Sequence, residues 1–281
     1  MDWLTDPFGY EFLQRALLAG LLASLVCSVT GSWVVVRGMS FIGDALAHGV
    51  IPGVAIAFQV GASLVVGAVA SALVMAAGIT VVSRRGRTSD DTAIGLLFVG
   101  MLALGVIILS RSTTATGDLT AVLFGSILAI DGGDIGLLVA AAVATVAIAA
   151  AFHRPLLALA FNRRKATSLG MRPTLAHGVL LGLVTLAVVS SFQAVGTLMV
   201  FGLLVGPPAT AALLTRRMVP LMVTAVGIGW LATVVGLLIT YHLDTAAGAS
   251  IAGTAVALFL VVLAGREAVD AAGRHRRAAT A

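Results

Sequence analysis

The stretch Gly38-Met-Ser-Phe-Ile-Gly-Asp-Ala-Leu-Ala-His-Gly-Val-Ile-Pro-Gly53 places an acid and an imidazole inside an otherwise apolar run. Asp44 and His48 are four residues apart, so a helix carries both side chains on one face. Ionisable side chains inside a membrane span are costly and need a reason. Two interpretations stay open at this point: a hydrogen-bonded or ionic pair that holds helices together, or two ligands for a divalent metal that crosses the membrane.

The composition of the chain indicates a membrane protein. Of its 281 residues, 59% are hydrophobic and only 10% are charged, whereas a soluble domain has about 25% charged residues. We therefore expect an all-α polytopic membrane protein with a single transmembrane domain over residues 1–281. The formal net charge of +5 fits basic loops on one side of a membrane, so no nucleic-acid partner is expected.

Nine apolar segments predict about 8–9 transmembrane helices, since a crossing needs about 20 mainly apolar residues. The expected spans are 12–36, 38–58, 61–82, 93–109, 135–152, 174–189, 195–214, 219–240 and 246–264. The apolar segment 119–130 is too short to cross and is expected to lie at the surface. A basic connection at 153–172 and a polar, basic tail from 265 onward complete the chain.

The seventh segment decides between eight and nine crossings. It contains Gly206-Pro207-Pro208, and proline inside a helix removes a hydrogen bond and clashes with the preceding turn. We expect a broken or re-entrant helix near 195–214, because such breaks are tolerated where they line a cavity or pack within protein.

The distribution of basic residues predicts the orientation of the chain. If nine segments cross and the C-terminus is cytoplasmic, 15 of the 17 Lys and Arg residues lie on the cytoplasmic side, and only Arg15 and Arg111 lie outside. Such a lopsided split follows the positive-inside rule. The cytoplasmic set is Arg37, Arg84, Arg85, Arg87, Arg154, Arg163, Arg164, Lys165, Arg172, Arg216, Arg217, Arg266, Arg274, Arg276 and Arg277.

The cytoplasmic connection around 157–173 has the pattern of a short helix. Asn162 is suited to cap its start and Gly170 to end it. Two interpretations are open: a basic loop that touches anionic lipid, or a docking helix that enters a groove of a cytoplasmic partner. The chain contains no P-loop and no common hydrolase or zinc-protease motif, so it is not expected to be an enzyme.

Five groups of residues, in order along almost the whole chain, resemble the membrane permease subunit of the bacterial ABC importers for zinc and manganese. The groups are Val36-Arg37-Gly38-Met39 with Gly43-Asp44-Ala45 and Ala47-His48; Asp91-Thr92-Ala93-Ile94-Gly95; Asp118-Leu119 with Leu123-Phe124-Gly125-Ser126-Ile127-Leu128; Val195-Gly196-Thr197-Leu198 with Pro207-Pro208-Ala209-Thr210-Ala211; and Leu243-Asp244-Thr245 with Ala247-Gly248.

This resemblance implies a homodimer of permeases in the bacterial inner membrane. Its partners would be a cytoplasmic ABC ATPase dimer, an extracytoplasmic solute-binding protein and membrane lipid. The resemblance also implies that Asp44 and His48 line the metal pathway. The segment that would couple to the ATPase comprises Phe161, Asn162, Arg163, Ala166, Leu169 and Gly170.

Two copies related by a two-fold axis would bring together two carboxylates and two imidazoles. That set suits a four-coordinate zinc ion, and manganese could use it with added water. We expect zinc first and manganese next as the transported ion, with no permanently bound cofactor. His242 and Asp244 are weaker candidates for metal capture outside the membrane.

Hypotheses from other classes remain. In a proton-coupled secondary metal transporter, Asp44 would carry a proton, and transport would depend on a proton gradient and not on ATP. An intramembrane metalloenzyme would need a general base near the pair. A vitamin or siderophore importer would have a wide apolar pathway without a buried acid and histidine.

Overall fold

The structure, a computed structural model, describes residues 10–86, 89–110, 130–161 and 173–278. Within these ranges the chain forms eleven α-helices and no β-strand, which confirms the all-α polytopic class. The helices are α1 (Glu11–Val36), α2 (Ile42–Gly49), α3 (Ile51–Gln59), α4 (Leu64–Arg85), α5 (Asp90–Ser110), α6 (Gly132–Ala151), α7 (His153–Phe161), α8 (Pro173–Val195), α9 (Thr197–Leu214), α10 (Met218–Leu243) and α11 (Ala247–Ala278).

Eight stretches of the described chain are long and apolar enough to cross a membrane, and each coincides with a predicted span. The helices α2 and α3 together form one of them, because Val50 between them keeps helical dihedrals, with φ −74° and ψ −28°. The remaining predicted segment, 195–214, is the shorter helix α9. The tail expected from 265 onward is helical to Ala278, since its alanine, arginine and glutamate residues are strong helix formers.

The helix α1 lies at the centre of the bundle. It packs against α6, α8, α9 and α10, and small residues along it allow this close approach. Ala16, Ala23 and Ser28 are fully buried. The tightest crossing is at Gly31, where a Cβ atom would overlap the backbone carbonyl of Leu204 in α9. Glycine at this position therefore determines how closely α1 and α9 can cross.

The interruption expected near 195–214 is present, but it lies at Gly196 and not at the prolines. Pro207 and Pro208 lie inside a continuous helix, and the break comes earlier, at Gly196. The φ of Gly196 is 78°, a left-handed conformation that suits glycine. The prolines remove two backbone hydrogen bonds, but α1, α10 and α11 all pack on α9 and hold it in one piece. The helix thus leads directly from the end of α8 back to the start of α10.

One end of the bundle collects the basic residues. Arg37, which caps the end of α1, approaches Asp90 at the start of α5. Arg266 of α11 donates to the carbonyl oxygen of Leu213 near the end of α9. We call this the basic end: it contains the ends of α1, α4 and α9 and the starts of α5, α8 and α10.

The opposite end contains acidic and aromatic residues, and we call it the acidic end. The rings of Tyr10 before α1 and Tyr241 near the end of α10 have centroids 6.3 Å apart. Asp131 and Asp134 form a reciprocal capping box at the start of α6. The basic and acidic connections thus lie at opposite ends of the bundle, as their charges predicted. The assignment of the basic end to the cytoplasm stays a prediction.

Candidate metal site

Asp44 and His48 contact each other one turn apart on α2. The His48 Nδ1 atom lies 3.0 Å from the backbone carbonyl oxygen of Asp44 and 3.3 Å from its Oδ1 atom. Both oxygens are acceptors, so Nδ1 carries a proton and Nε2 is left as the nitrogen for a metal. A ligand histidine is commonly oriented in this way, with its second nitrogen bonded to a carbonyl or carboxylate.

Neighbouring helices fix the position of α2. A Cβ atom at Gly43 would overlap the Leu204 side chain of α9, and one at Gly49 would overlap the Met75 sulfur of α4. The Ser71 hydroxyl of α4 donates to the Gly49 carbonyl oxygen at 2.7 Å. Glycines on both sides of the Asp44–His48 pair therefore let α2 lie close to α4 and α9.

The side chains of the pair remain partly accessible within this tight packing. The exposed fraction is 29% for His48 and 35% for Asp44. The edge of the His48 ring meets the Phe98 ring of α5, with centroids 5.5 Å apart and an interplanar angle of 88°. An acid and an imidazole that belong to a membrane-crossing stretch thus keep an open side, which a purely structural pair would not need.

The position of the pair along its helix differs from the expectation. The helix α2 begins at Ile42 and not near Gly38, because Gly38 has a φ of 70° and turns the chain between α1 and α2. At about 1.5 Å per residue, Asp44 lies about 3 Å and His48 about 9 Å from the start of the helix. The corresponding values for a start at Gly38 are about 9 Å and 15 Å.

A single chain does not complete a metal site in the part of the chain that the structure describes. No group of three or more His, Cys, Asp or Glu side chains comes together within those residues. Zinc prefers four ligands, and manganese usually has more. The pair therefore needs further ligands from water or from another molecule.

The weaker candidates, His242 and Asp244, lie near the acidic end and are not brought to the pair. Asp244 caps α10 in a left-handed conformation, with φ 50° and ψ 40°. The His242 ring meets the Tyr241 ring edge-on, with centroids 5.2 Å apart. They form no three-ligand group with other described residues, so their role in metal capture stays a prediction.

The predicted coupling segment falls mostly outside the described residues. Phe161 ends α7, whereas Asn162, Arg163, Ala166, Leu169 and Gly170 lie beyond the described ranges. The connection expected at 153–172 is partly helical, because Leu156 and Leu159 of α7 are buried against the bundle. The chain thus approaches the coupling segment along a packed helix.

A polar network at the basic end was missed by sequence reasoning. The Arg37 guanidinium lies 3.1 Å from His177 Nδ1 of α8 and 3.5 Å from Asp90 Oδ2 of α5. Because a guanidinium only donates, His177 Nδ1 is the acceptor. The Ser83 hydroxyl of α4 donates to the other Asp90 oxygen. The sequence indicated only that Arg37 is basic, and no spacing rule connects residues on four helices.

Replacing Asp90 with alanine is expected to lower the stability of the protein by about 1–3 kcal/mol. The Arg37 side chain is only 10% exposed, so it would lose its carboxylate partner in a poorly hydrated place. Thermal unfolding of the purified protein in detergent measures the change. Asp91, the exposed neighbour of Asp90, provides the control Asp91→Ala, and equal melting temperatures for the two variants would contradict the role of the network.

Comparison with known proteins identifies relatives over almost the full chain. The sequence profile of the ABC 3 transport family matches residues 9–266. The manganese transport system membrane protein MntC of Listeria monocytogenes is 35% identical over 261 residues, covering 93% of each chain. The chelated iron transport system membrane protein YfeD of Yersinia pestis is 32% identical over 260 residues, covering 92% of this chain and 87% of the relative.

A solved structure has the same fold. The chain aligns with PsaBC from Streptococcus pneumoniae, determined in complex with Fab, with a TM-score of 0.81 and 34% sequence identity. The alignment covers 93% of this chain and 94% of the matched chain. The structural similarity covers the arrangement of the helices, and the family match over residues 9–266 includes the segment that carries Asp44 and His48.

Proposed function

Because the chain belongs to the ABC 3 transport family, we propose that it forms half of a metal pathway driven by a separate ATPase. The chain is a permease of the metal-type ABC transporters and a non-catalytic membrane component. The proposal adds the pathway itself: Asp44 and His48 bind the ion as it crosses. The observation that carries it is the contact between these two side chains on α2, which together with α3 forms one membrane-crossing stretch.

The geometry of the pair favours a ligand role over a helix-stabilising role. Both polar contacts of His48 Nδ1 are to its own helix, at Asp44, and among the described residues no hydrogen bond or ion pair found for the pair joins α2 to another helix. Both side chains also keep an accessible side. A carboxylate oxygen and an imidazole nitrogen are ligands that zinc, manganese and iron all accept.

A second copy of the chain would complete the site. Two chains related by a two-fold axis contribute two carboxylates and two imidazoles if their α2 helices face each other. The two negative charges would balance the charge of a divalent ion, which is otherwise costly inside a membrane. The homodimer is thus part of the proposal, because the described residues of one chain offer only two ligands.

The names of the relatives favour manganese or iron as the transported ion. MntC is named for manganese transport and YfeD for chelated iron, so the expectation of zinc first receives no support from them. We propose a divalent transition metal of this group, with manganese ahead of zinc. The ligand types suit each of these ions, so the discrimination would rest on coordination number and geometry.

The partners of the proposed transporter follow from its two ends. If the basic end is cytoplasmic, as the charge distribution predicts, the coupling segment after α7 faces the ATPase. The acidic end then faces the solute-binding protein, and the C-terminus, which follows α11, is cytoplasmic.

Uptake measurements in cells test the energy source. Cells that express the chain with its ATPase and binding protein are expected to accumulate radioactive manganese only when the ATPase is intact. A variant of the ATPase that cannot hydrolyse ATP is expected to abolish uptake, whereas collapse of the proton gradient at constant ATP is expected to leave it. The reverse pattern would establish a proton-coupled secondary transporter and overturn the proposal.

A further inference from the structure

A cavity of about 630 Å³ lies near the basic end, between α6 and α10. Its apolar wall includes Val29 of α1, Val146 and Ala149 of α6, and Met222 of α10. Both α6 and α10 pack against α1, so α1 forms the floor between them. Its volume is within the range of about 300–1,000 Å³ that is typical of ligand pockets.

The basic residues of this cavity lie at one edge. His153 and Arg154, at the junction of α6 and α7, also line it. The His153 ring lies 5.3 Å from the buried Trp33 ring, which holds it at the wall, whereas Arg154 is exposed. Arg154 takes part in none of the ion pairs found between described residues. Its guanidinium is therefore available to an anion at the mouth of an apolar cavity.

The cavity is separate from the proposed metal pathway. The helix α2, which carries Asp44 and His48, packs against α4, α5, α8 and α9. The cavity is lined instead by α1, α6, α10 and the start of α7. An arginine at its mouth repels a metal cation, and its apolar wall offers nothing to a small hydrated anion.

We propose that this cavity binds one anionic phospholipid, with an acyl chain between α6 and α10 and the phosphate at Arg154. The apolar wall of the cavity matches the acyl chain of such a lipid, and its basic edge matches the anionic phosphate. The acyl chain would cover Val29, Val146 and Met222. The Arg154 guanidinium would form charge-assisted hydrogen bonds with phosphate oxygens. Basic pockets between membrane helices near a membrane surface are known to bind anionic headgroups in this way.

Lipid titration of the purified full-length protein tests the proposal. Native mass spectrometry would follow the binding of phosphatidylglycerol and of phosphatidylcholine with the same acyl chains. We expect one phosphatidylglycerol to bind about tenfold more tightly than phosphatidylcholine. Arg154→Gln is expected to remove most of this preference, lowering phosphatidylglycerol affinity about tenfold, since hydrogen bonds to a charged group are lost.

Two further variants separate the cavity from general surface charge. Arg216→Gln removes an exposed arginine that precedes α10 but does not line the cavity, and it is expected to keep wild-type affinity. Ala150→Trp places a large ring at a lining position that is exposed, and it is expected to weaken the binding of both lipids. Each variant is compared only as a monodisperse preparation with wild-type melting temperature.

Three results would overturn the proposal. Equal affinities for the two lipids would show that the charge of the headgroup does not contribute to binding. Unchanged phosphatidylglycerol affinity in Arg154→Gln would show that Arg154 does not bind the phosphate. A loss in Arg216→Gln as large as in Arg154→Gln would show that the lipid responds to the general charge of the surface. The result is independent of metal transport, so it stands or fails separately from the proposed function.

Discussion

Replacing Asp44 or His48 with alanine is expected to reduce metal uptake by at least about a hundredfold. The loss of a hydrogen-bonded partner of a metal ligand already costs about 10–100-fold, and these variants remove a ligand itself. In the proposed dimer each substitution removes two ligands from the shared site, because both copies carry it. Uptake of radioactive manganese by cells that express the complete transporter measures the change.

Controls distinguish a lost ligand from a lost fold. Both variants are expected to insert into the membrane and to purify with the ATPase at wild-type yield, because the two side chains are partly exposed. Asp91→Ala, at the exposed start of α5, and His275→Ala, which is distant from the pair in sequence, change the same residue types, and they are expected to leave uptake within about twofold. Near-normal uptake in Asp44→Ala or His48→Ala would contradict the proposal that the pair binds the transported ion.

Replacing Asp44 with asparagine is expected to reduce uptake by about a hundredfold although it changes the side chain very little. Asparagine keeps an oxygen that can accept a hydrogen bond from His48 Nδ1, but it removes the negative charge. A charge that loses its counter-charge inside a membrane-crossing stretch costs about 3 kcal/mol, which is about a hundredfold in an equilibrium constant.

This variant separates the two interpretations of the pair. If Asp44 and His48 only form a hydrogen bond that stabilises α2, Asp44→Asn retains that bond and uptake remains close to wild type. Asp91→Asn, at the exposed start of α5, is the matched control for the loss of one carboxylate. The ratio of the uptake rates of the two variants gives the effect of charge at position 44 alone.

Most of the helical architecture could be predicted because hydropathy depends directly on sequence. A membrane requires long apolar segments with internally satisfied backbones, so eight spans coincide with predicted ones. The basic residues likewise indicated which helix ends lie together, since Arg37 at the end of α1 meets Asp90 at the start of α5. The same rules located Asp44 and His48 as unusual residues within a span.

Other features depended on packing between distant segments. Proline rules predicted a break in α9, but neighbouring helices hold Pro207 and Pro208 within a continuous helix, and the break occurs at Gly196. The turn at Gly38 moved the start of α2 to Ile42. These outcomes depend on contacts of α9 and on one backbone conformation, and a hydropathy pattern contains neither.

The candidate site was predictable only in part for a similar reason. The i, i+4 spacing placed Asp44 beside His48, and their contact is found as expected. The orientation of His48 through Nδ1 and its contact with Phe98 come from α2 and α5 together. The Arg37–His177–Asp90 network joins helices that are far apart in sequence, so only the folded chain reveals it.

The most direct test of the account is the number of metal ions held by the purified complex. Two copies of the chain with their ATPase subunits would be loaded with manganese, washed free of excess ion and analysed for bound metal by mass spectrometry. The account predicts one ion for each pair of chains, and none in a variant that combines Asp44→Ala with His48→Ala. Two ions for each pair, or an unchanged metal content in the double variant, would contradict it.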